Sequence, residues 1–398
     1  MLRWAEDTET IDQPPKRLSS VNRSDVSVTP PPATHNPPVS GYALALSMSD
    51  QHLFDHKLGL LSPQRDTGRR RNRGKGREWE YPAIAELYED GNLVHRSIVG
   101  TRHHGDYKYA TMESFTQETC LVRKRNFRIY NRSKIRPLKI PSKILRPEVD
   151  RSQFTFVVRR KRPITSFVST VIASEIGAEV SASGLINFAI NHSHYCTAVI
   201  SEHVSMKQFQ VLSEKGFVFK RFKDSYSNPE KYEMFSEWAF SSATADGVRR
   251  LVDIENFNAA ILTHLYLANT DWQQGAFVYS PSSKKWRWIL WDLDVSFRRI
   301  PLEWPSIPTL MRRNNVQSKL FGTLLRDSAY RQQFLKFARN VLTEKLDQDF
   351  LDSLLHSIPD SIQDHHNELP AIRDAFRHRS QSLLADLEDY FEKRKWPN

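Results

Sequence analysis

Three aspartates at the two ends of a hairpin-like segment are the residues of this chain best placed to do chemistry. Asp271 precedes the segment, and Asp292 and Asp294 follow it. Between them lie two β-like arms, the first ending at Tyr279 and the second starting at Trp286, with a Ser/Lys-rich turn in the middle. Carboxylates at the ends of adjacent strands can converge on one point, where one acts on a hydroxyl and another holds a divalent cation on a polyphosphate. Two solvated strand ends would show the same spacing.

A helix before the first acidic position and helices after the second are the elements that must position these acids. Apolar residues at helical spacing predict a helix over residues 253–268, which delivers Asp271 just beyond its C-terminal end. After Phe297 the same periodicity predicts a helical region that continues to Phe391. Nearer the N-terminus, strand-like runs, one helix over 164–176 and a second hairpin follow in the order of a kinase-like N-lobe, which many α+β domains share.

Asp292 and Asp294 are two positions apart, and this spacing has a consequence if they lie on a strand. Alternate residues of a strand point to the same face, so both carboxylates would face one metal ion while Leu293 faced the core. The tryptophans of the second arm are predicted to serve core packing rather than base stacking.

Composition limits the class of protein and leaves the partner open. The chain has 398 residues, of which 39% are hydrophobic and 11% aromatic, enough for one large domain or two ordinary ones with a real core. The net charge of +11 predicts attraction to an anion, which could be a nucleotide, an acidic or phosphorylated protein, nucleic acid or anionic lipid. Two cysteines exclude both a disulfide framework and a cysteine zinc set.

No run of the sequence approaches the roughly 20 apolar residues that a membrane span needs, and no apolar signal-peptide core follows the first residues. The sequence as it stands therefore predicts a cytoplasmic protein, or a secreted or periplasmic one if an N-terminal signal has been removed. The oligomeric state does not follow from these residues.

The chain is predicted to divide into four segments. A Pro-rich, disordered tail over 1–40 precedes a β-rich N-terminal extension and the start of an N-lobe over 41–120. A kinase-like N-lobe is expected over 121–215 and a C-lobe with the acidic positions and a helical end over 216–398. The basic run 69–77 fits either a phosphate or nucleic-acid patch or a solvated loop, and the solvated loop is favoured.

The residues around the two acidic positions resemble those of the CotH kinase family, a group of atypical protein kinases. The family pattern pairs an Asn-x-Asp-Trp segment with a later Trp-Asp-x-Asp-x-Ser-Phe segment, and this chain has Asn269-Thr-Asp-Trp272 and Trp291-Asp-Leu-Asp-Val-Ser-Phe297. The resemblance covers roughly residues 42–395. It implies an α+β, two-lobed atypical protein-kinase-like fold with a β-rich N-terminal extension and a helical C-terminal lobe.

Further pieces of the family pattern follow in the same order and supply candidate ligands of a nucleotide. Arg102 begins a segment similar to the family's Arg-x-x-Gly element, and Lys124 lies in a segment similar to its Lys-Lys-Ser-Phe-Arg strand. Glu202 ends the family's hairpin, and Lys220 lies on the basic strand that follows. The resemblance implies that Lys124, with Arg102 and Lys220, binds ATP phosphates, and that Glu202 contacts the ribose or braces a lysine.

The resemblance also implies different roles for the three aspartates. Asp271 would orient and deprotonate the acceptor hydroxyl. Asp292 and Asp294 would bind Mg²⁺ or Mn²⁺, with Asp292 favoured as the principal ligand. The expected reaction is transfer of the ATP γ-phosphoryl group to Ser or Thr hydroxyls of a protein partner or of the chain itself.

One departure from the family pattern keeps a second function open. Family members commonly have Asn four and five positions after the catalytic Asp, where this chain has Gly275 and Ala276. Gln273 or Gln274 could replace that Asn, one metal could suffice, or the chain could be a catalytically impaired pseudokinase that binds a partner. A basic nucleic-acid-binding protein is a third and less favoured alternative, motivated by the net charge and the basic run.

Overall fold

The computed structural model describes residues 37–54, 59–60, 80–104, 126–131, 137–146, 155–159, 162–191, 195–203, 217–219, 244–271, 275–280, 283–297, 306–312, 316–359, 362 and 368–394. Most of the predicted disordered tail, the basic run 69–77 and the candidate ligands Lys124 and Lys220 lie outside these residues.

The fold is α+β, as the sequence predicts. The strands are β1 (Tyr42–Ser47), β2 (Tyr81–Glu89), β3 (Asn92–His104), β4 (Asn126–Asn131), β5 (Phe156–Arg159), β6 (Glu179–Val180), β7 (Ser183–Ile190), β8 (Cys196–Glu202), β9 (Phe217–Phe219), β10 (Gly275–Ser280) and β11 (Lys285–Leu290). The helices are α1 (Asp50–Phe54), α2 (Pro163–Ile176), α3 (Ala245–Leu251), α4 (Ile254–Tyr266), α5 (Ser306–Arg312), α6 (Val316–Leu324), α7 (Ser328–Asn340), α8 (Gln348–His356) and α9 (Leu369–Lys393).

The described residues belong to two compact units. The first unit takes those up to Pro163 together with those of Ser183–His203 and Pro359–Asp364. The second takes those of Ile164–Ala182, Val204–Ile358 and His365–Asn398. The predicted divisions at residues 120 and 215 stay a prediction, and each unit is described by itself below.

A closed seven-stranded barrel forms the first unit, in the order β1-β2-β3-β4-β5-β8-β7. Closure comes from β1, which pairs antiparallel with β2 on one side and parallel with β7 on the other. Closing the sheet removes exposed strand edges, and the apolar inward side chains form the core. There the rings of Phe127 and Phe188 are 5.5 Å apart. The segment 41–120, expected as an N-terminal extension and the start of an N-lobe, thus supplies three strands of the barrel itself, β1, β2 and β3.

In the second unit, the predicted hairpin is present as β10 and β11, with Tyr279 paired to Trp286. It is the centre of a four-stranded sheet of order β6-β11-β10-β9. The indole of Trp288 is fully buried, with the rings of Phe257 from α4 and Phe277 from β10 at 4.8 and 5.3 Å. The prediction that this tryptophan serves the core is confirmed.

Helix α4 is fixed to β11 by hydrogen bonds as well as by packing. The side chain of Asp253 accepts from the N–H of Asn256 (3.2 Å) and caps the helix, so the observed helix begins one residue after the predicted start. The amide of Asn256 pairs with both backbone groups of Trp288: its Oδ1 accepts from the N–H (2.6 Å) and its Nδ2 donates to the carbonyl (3.0 Å). Asn256 therefore takes the place of a neighbouring strand.

The predicted helical region after Phe297 is present as α5 to α9. Arg379 of α9 is buried and donates from Nε to the carbonyl of Tyr266 (3.1 Å) and from a terminal nitrogen to that of Leu265 (2.6 Å). These carbonyls belong to the last turn of α4, where a cation is favourable. Among the described helices, none is long and apolar enough to cross a membrane.

The barrel offers a stability test at Gly184, which a side chain would force against the backbone. A Cβ there would lie 2.0 Å from the carbonyl oxygen of Ile144, in a segment bonded to β7 between Arg146 and Ser183. Gly184→Ala should lower the free energy of unfolding by about 1–3 kcal/mol, measured by urea denaturation. Gly322→Ala is the control, because only the terminal methyl of Met311 is close there (2.7 Å) and Ala favours a helix. Equal midpoints for the two variants would contradict the clash.

Candidate active site

The backbone that carries Asp271 leaves α4 through a Schellman motif. The N–H of Asn269 donates to the carbonyl of His264 (3.1 Å), and the N–H of Ala268 donates to that of Leu265 (3.3 Å). Ala268 has φ 46°, the left-handed conformation that this motif requires and that usually falls to Gly. The chain therefore turns sharply at the helix end and presents Asp271, which is half-buried, just beyond it.

Asn269 holds the backbone of Asp271. Its side chain is fully buried, and its Oδ1 accepts from the N–H of Asp271 at 2.8 Å. The Nδ2 of the same amide is buried and has no hydrogen-bond partner. The sequence pattern includes Asn269 but gives it no role, since an Asn two residues before an Asp is common in turns.

The second acidic position does not lie on a strand, so the argument from strand alternation is wrong. Strand β11 ends at Leu290, Asp292 has a left-handed φ of 57°, and Asp294 begins a turn that continues to Phe297. A left-handed residue breaks the alternation of faces, and Asp tolerates that conformation better than most residues. Asp292 and Asp294 are both half-buried, while Leu293 faces the core as expected.

The two acidic positions leave the same end of the hairpin. Gly275 at the start of β10 pairs with Leu290 at the end of β11, so only a few residues separate that pair from Asp271 on one side and Asp292 on the other. The turn after Asp292 returns to α4, where the N–H of Phe297 donates to the carbonyl of Leu267 (2.9 Å). Both acidic positions therefore lie within a few residues of the same end of this hairpin.

Asp292 and Asp294 fit a magnesium ion whose other ligands are water molecules and substrate phosphates. In the part of the chain that is described, no group of three or more His, Cys, Asp or Glu side chains is placed to hold a metal ion. Mg²⁺ seldom uses such a cage, because it keeps several waters and is held by one or two carboxylates together with substrate phosphates. Asp292 and Asp294 can supply these one or two carboxylates.

The first unit carries a row of cationic side chains on one face of its barrel. Arg102 of β3 pairs in register with Arg128 of β4, which pairs with Val157 of β5, and Arg159 is two positions further along that strand. Alternation places the three arginines on one face, which we call the arginine cluster. Tyr130 joins two of its members: the Arg102 guanidinium lies 4.2 Å from the ring centroid, and Arg128 donates to the hydroxyl at 3.3 Å.

The contacts within the arginine cluster leave it rich in positive charge. Burial, followed by the charges of Arg159 and Arg128, lowers the pKa of His104. The neutral His104 accepts at Nδ1 from Arg128 (3.0 Å), since an arginine can only donate. Arg128 Nε is buried without a hydrogen-bond partner, and Arg159 donates to the hydroxyl of Ser201 (3.0 Å). Glu80 lies 3.6 Å from Arg102. Three guanidinium groups on one face of the barrel are suited to an oxyanion, because each presents a planar set of donors.

Of the candidate ligands Arg102 and Glu202, only Arg102 belongs to this cluster. Glu202 lies on the opposite face, because its neighbour Ser201 is in register with Val157. Arg159 ends β5, and only the register of adjacent strands brings it to the same face as Arg102 and Arg128.

Comparison with known proteins gives one family and distant structural neighbours. Residues 206–397 match the model of the family described as CotH kinase protein, which confirms the family resemblance over that part of the chain. No curated protein matches the chain.

Two solved structures show a distant similarity. The Helicobacter pylori proinflammatory kinase CtkA has 11% identity and a TM-score of 0.33, with 61% of this chain and 94% of that chain covered. A chain of the Shewanella oneidensis MR-1 toxin–antitoxin complex of HipA, HipB and operator DNA has 12% identity and a TM-score of 0.33, with 58% and 57% covered.

The left-handed Ala268 gives a test of the turn that presents Asp271. Ala268→Gly should raise the free energy of unfolding by about 1 kcal/mol, because Gly adopts this conformation without the clash of a Cβ. Ala260→Gly, in the middle of α4, should lower the free energy of unfolding by at least about 1 kcal/mol. Urea denaturation measures both variants, and a loss of stability in Ala268→Gly would show that the turn is not left-handed.

Buried His264 on α4 makes stability depend on pH. Burial lowers its pKa to about 3, whereas an unfolded His titrates near 6.5. As the pH falls below about 6.5, His264 binds a proton in the unfolded state but not in the folded state. The free energy of unfolding therefore declines until about pH 3. Between pH 7.5 and 5 the loss should be about 2 kcal/mol. Urea denaturation at several pH values measures this loss. The loss should be absent in His264→Leu and present in His356→Gln, which changes an exposed His.

Proposed function

We propose that this chain, in which residues 206–397 match the CotH kinase family, transfers the γ-phosphoryl group of ATP to Ser or Thr hydroxyls of a protein partner or of itself. The observation that carries the proposal is that Asp271 and Asp292 both lie within a few residues of the same end of the β10–β11 hairpin. Phosphoryl transfer needs a group that orients the nucleophile and carboxylates that hold the metal on the phosphates, and these positions supply both.

In this proposal, Asp271 accepts the proton of the acceptor hydroxyl. The hydroxyl must lie within hydrogen-bond distance of the carboxylate and in line with the phosphorus, so the fixed backbone at Asp271 matters as much as its charge. Asp292 and Asp294 would hold Mg²⁺ or Mn²⁺, which when bound neutralises the charge that develops on the phosphoryl oxygens. The half-buried setting of all three acids strengthens these interactions relative to bulk water.

The arginine cluster of the first unit is proposed to bind an oxyanion. Arg102, Arg128 and Arg159 each present a planar set of donors that matches phosphate oxygens. Binding of an oxyanion would also satisfy the buried Nε of Arg128. Arg102, Lys124, Lys220 and Glu202 stay the candidate ligands of ATP.

Isosteric removal of the carboxylates tests the reaction. With labelled ATP and Mg²⁺ or Mn²⁺, Asp271→Asn and Asp292→Asn should each lower phosphorylation of the chain or of a generic protein acceptor by at least about 100-fold. Asn at position 292 also tolerates the left-handed backbone, so a loss of activity there reports the charge rather than the fold. Asp246→Asn is the control, because that side chain is 83% exposed and lies on α3. Full activity in both site variants would overturn the proposal.

The absence of the family's Asn at Gly275 and Ala276 favours a second candidate, a catalytically impaired pseudokinase that binds a partner. Isothermal titration with ATP and Mg²⁺, run beside the turnover assay, separates the two. Binding without phosphate transfer supports the pseudokinase. Transfer that requires both Asp271 and Asp292 supports the kinase.

A further inference from the structure

We propose that Asn269 is the positioning residue for Asp271, and that it acts by fixing the backbone of Asp271 through its side-chain oxygen. The inference rests on the proposed function for its kinetic consequence, while its structural half stands on the contacts of the second unit. Asn269 does not itself touch the reactants in this account. Its effect on the reaction passes through the direction in which Asp271 presents its carboxylate.

A direct contact carries the proposal. The N–H of Asp271 donates to Asn269 Oδ1 at 2.8 Å, which closes a side-chain turn over residues 269–271. The ψ angle of Asn269 and the φ and ψ angles of Thr270 lie inside this ring, so the hydrogen bond restricts the torsions that place the backbone nitrogen of Asp271. Thr270 and Asp271 are both half-buried, whereas Asn269 is fully buried, so the restraint is anchored in the core.

The base of this restraint is itself fixed from three sides. The Schellman motif ties the backbone of Asn269 to His264, and Phe297 donates to the carbonyl of Leu267. Arg379 of α9 holds the carbonyls of Leu265 and Tyr266. A hydrogen bond from a residue with a fixed backbone can set the position of the residues that follow it. The same bond from a mobile residue would move with them.

The Nδ2 group of Asn269 indicates that a contribution to stability alone does not account for an Asn at this position. Its Nδ2 is buried without an acceptor, which costs about 1–3 kcal/mol. A serine could accept from the same N–H without burying an unpaired NH₂ group, because Ser forms the equivalent turn. The orphan donor also settles which end of the amide faces Asp271: only the oxygen can accept from an N–H.

Kinetics of three variants, with ATP, Mg²⁺ and the acceptor used for the wild type, form the first part of the test. Asn269→Ala should lower kcat by about 10- to 100-fold and leave the KM for ATP within about threefold, because Asp271 acts on the acceptor and not on the nucleotide. Asn269→Ser should recover most of the lost kcat, since its hydroxyl can accept from Asp271.

Asn258→Ala is the matched control for the kinetics. Asn258 lies on α4, the helix that leads to Asn269. It is also buried, and its substitution removes one side-chain hydrogen bond, from the hydroxyl of Tyr330 (2.6 Å). The control should lose stability and keep kcat. An equal loss of kcat in Asn258→Ala and Asn269→Ala, or no recovery in Asn269→Ser, would overturn the proposal.

Amide hydrogen exchange gives a readout that does not need activity. The Asp271 N–H should exchange slowly in the wild type and in Asn269→Ser, and at least about tenfold faster in Asn269→Ala, with the amides at the centre of α4 unchanged. Equal exchange at Asp271 in all three proteins would overturn the positioning role. If the wild type transfers no phosphoryl group, the proposed function fails, and the exchange comparison still decides whether Asn269 fixes Asp271.

Discussion

The paired hydrogen bonds between the Asn256 amide and the backbone of Trp288 join the helix that leads to Asp271 with the strand that leads to Asp292. A side-chain amide has the same donor and acceptor geometry as a peptide group, so Asn256 continues the sheet onto the helix surface. The contact sets the register of α4 along β11. A shift by one residue would break both bonds and expose the fully buried indole of Trp288, so the spacing of the two acidic positions is fixed by the fold.

Three residues near the acidic positions adopt unfavourable backbone conformations. Ala268, Asp292 and Phe297 all adopt left-handed φ angles, of 46°, 57° and 54°. Each costs roughly 1–2 kcal/mol for a residue with a side chain, and surrounding contacts must hold it in place. Those contacts are the Schellman bonds, the Phe297–Leu267 bond and the packing of α9 against the end of α4. The result is two sharp turns that bring polar residues to one edge of an apolar unit.

In the first unit, closure of the barrel stabilises short strands. Closure lets short strands pair on both sides, so strands of only a few residues become stable parts of the sheet. The register of three adjacent strands then places Arg102 beside Arg128 and brings Arg159 to the same face. The mutual repulsion of these cations is reduced by neutral acceptors such as His104, whose low pKa keeps it uncharged.

The sequence by itself determined what depends on neighbours along the chain. Helical periodicity predicted α4 to within a residue or two of its ends, and the turn residues between Tyr279 and Trp286 predicted the hairpin. The acidic motifs predicted the similarity to the CotH kinase family that residues 206–397 show. These signals are local, because a helix or a hairpin is encoded in a single short segment.

Only the tertiary structure decided features that depend on residues far apart. Barrel closure by β1 and β7 joins segments more than a hundred residues apart, and no local pattern encodes that pairing. The chain makes a left-handed turn at Asp292 where a strand was expected, and the hydrogen bond from Phe297 to Leu267 then joins it to the end of α4. The role of Asn269 also became visible only in three dimensions, since burial of one half of its amide and bonding of the other are set by packing.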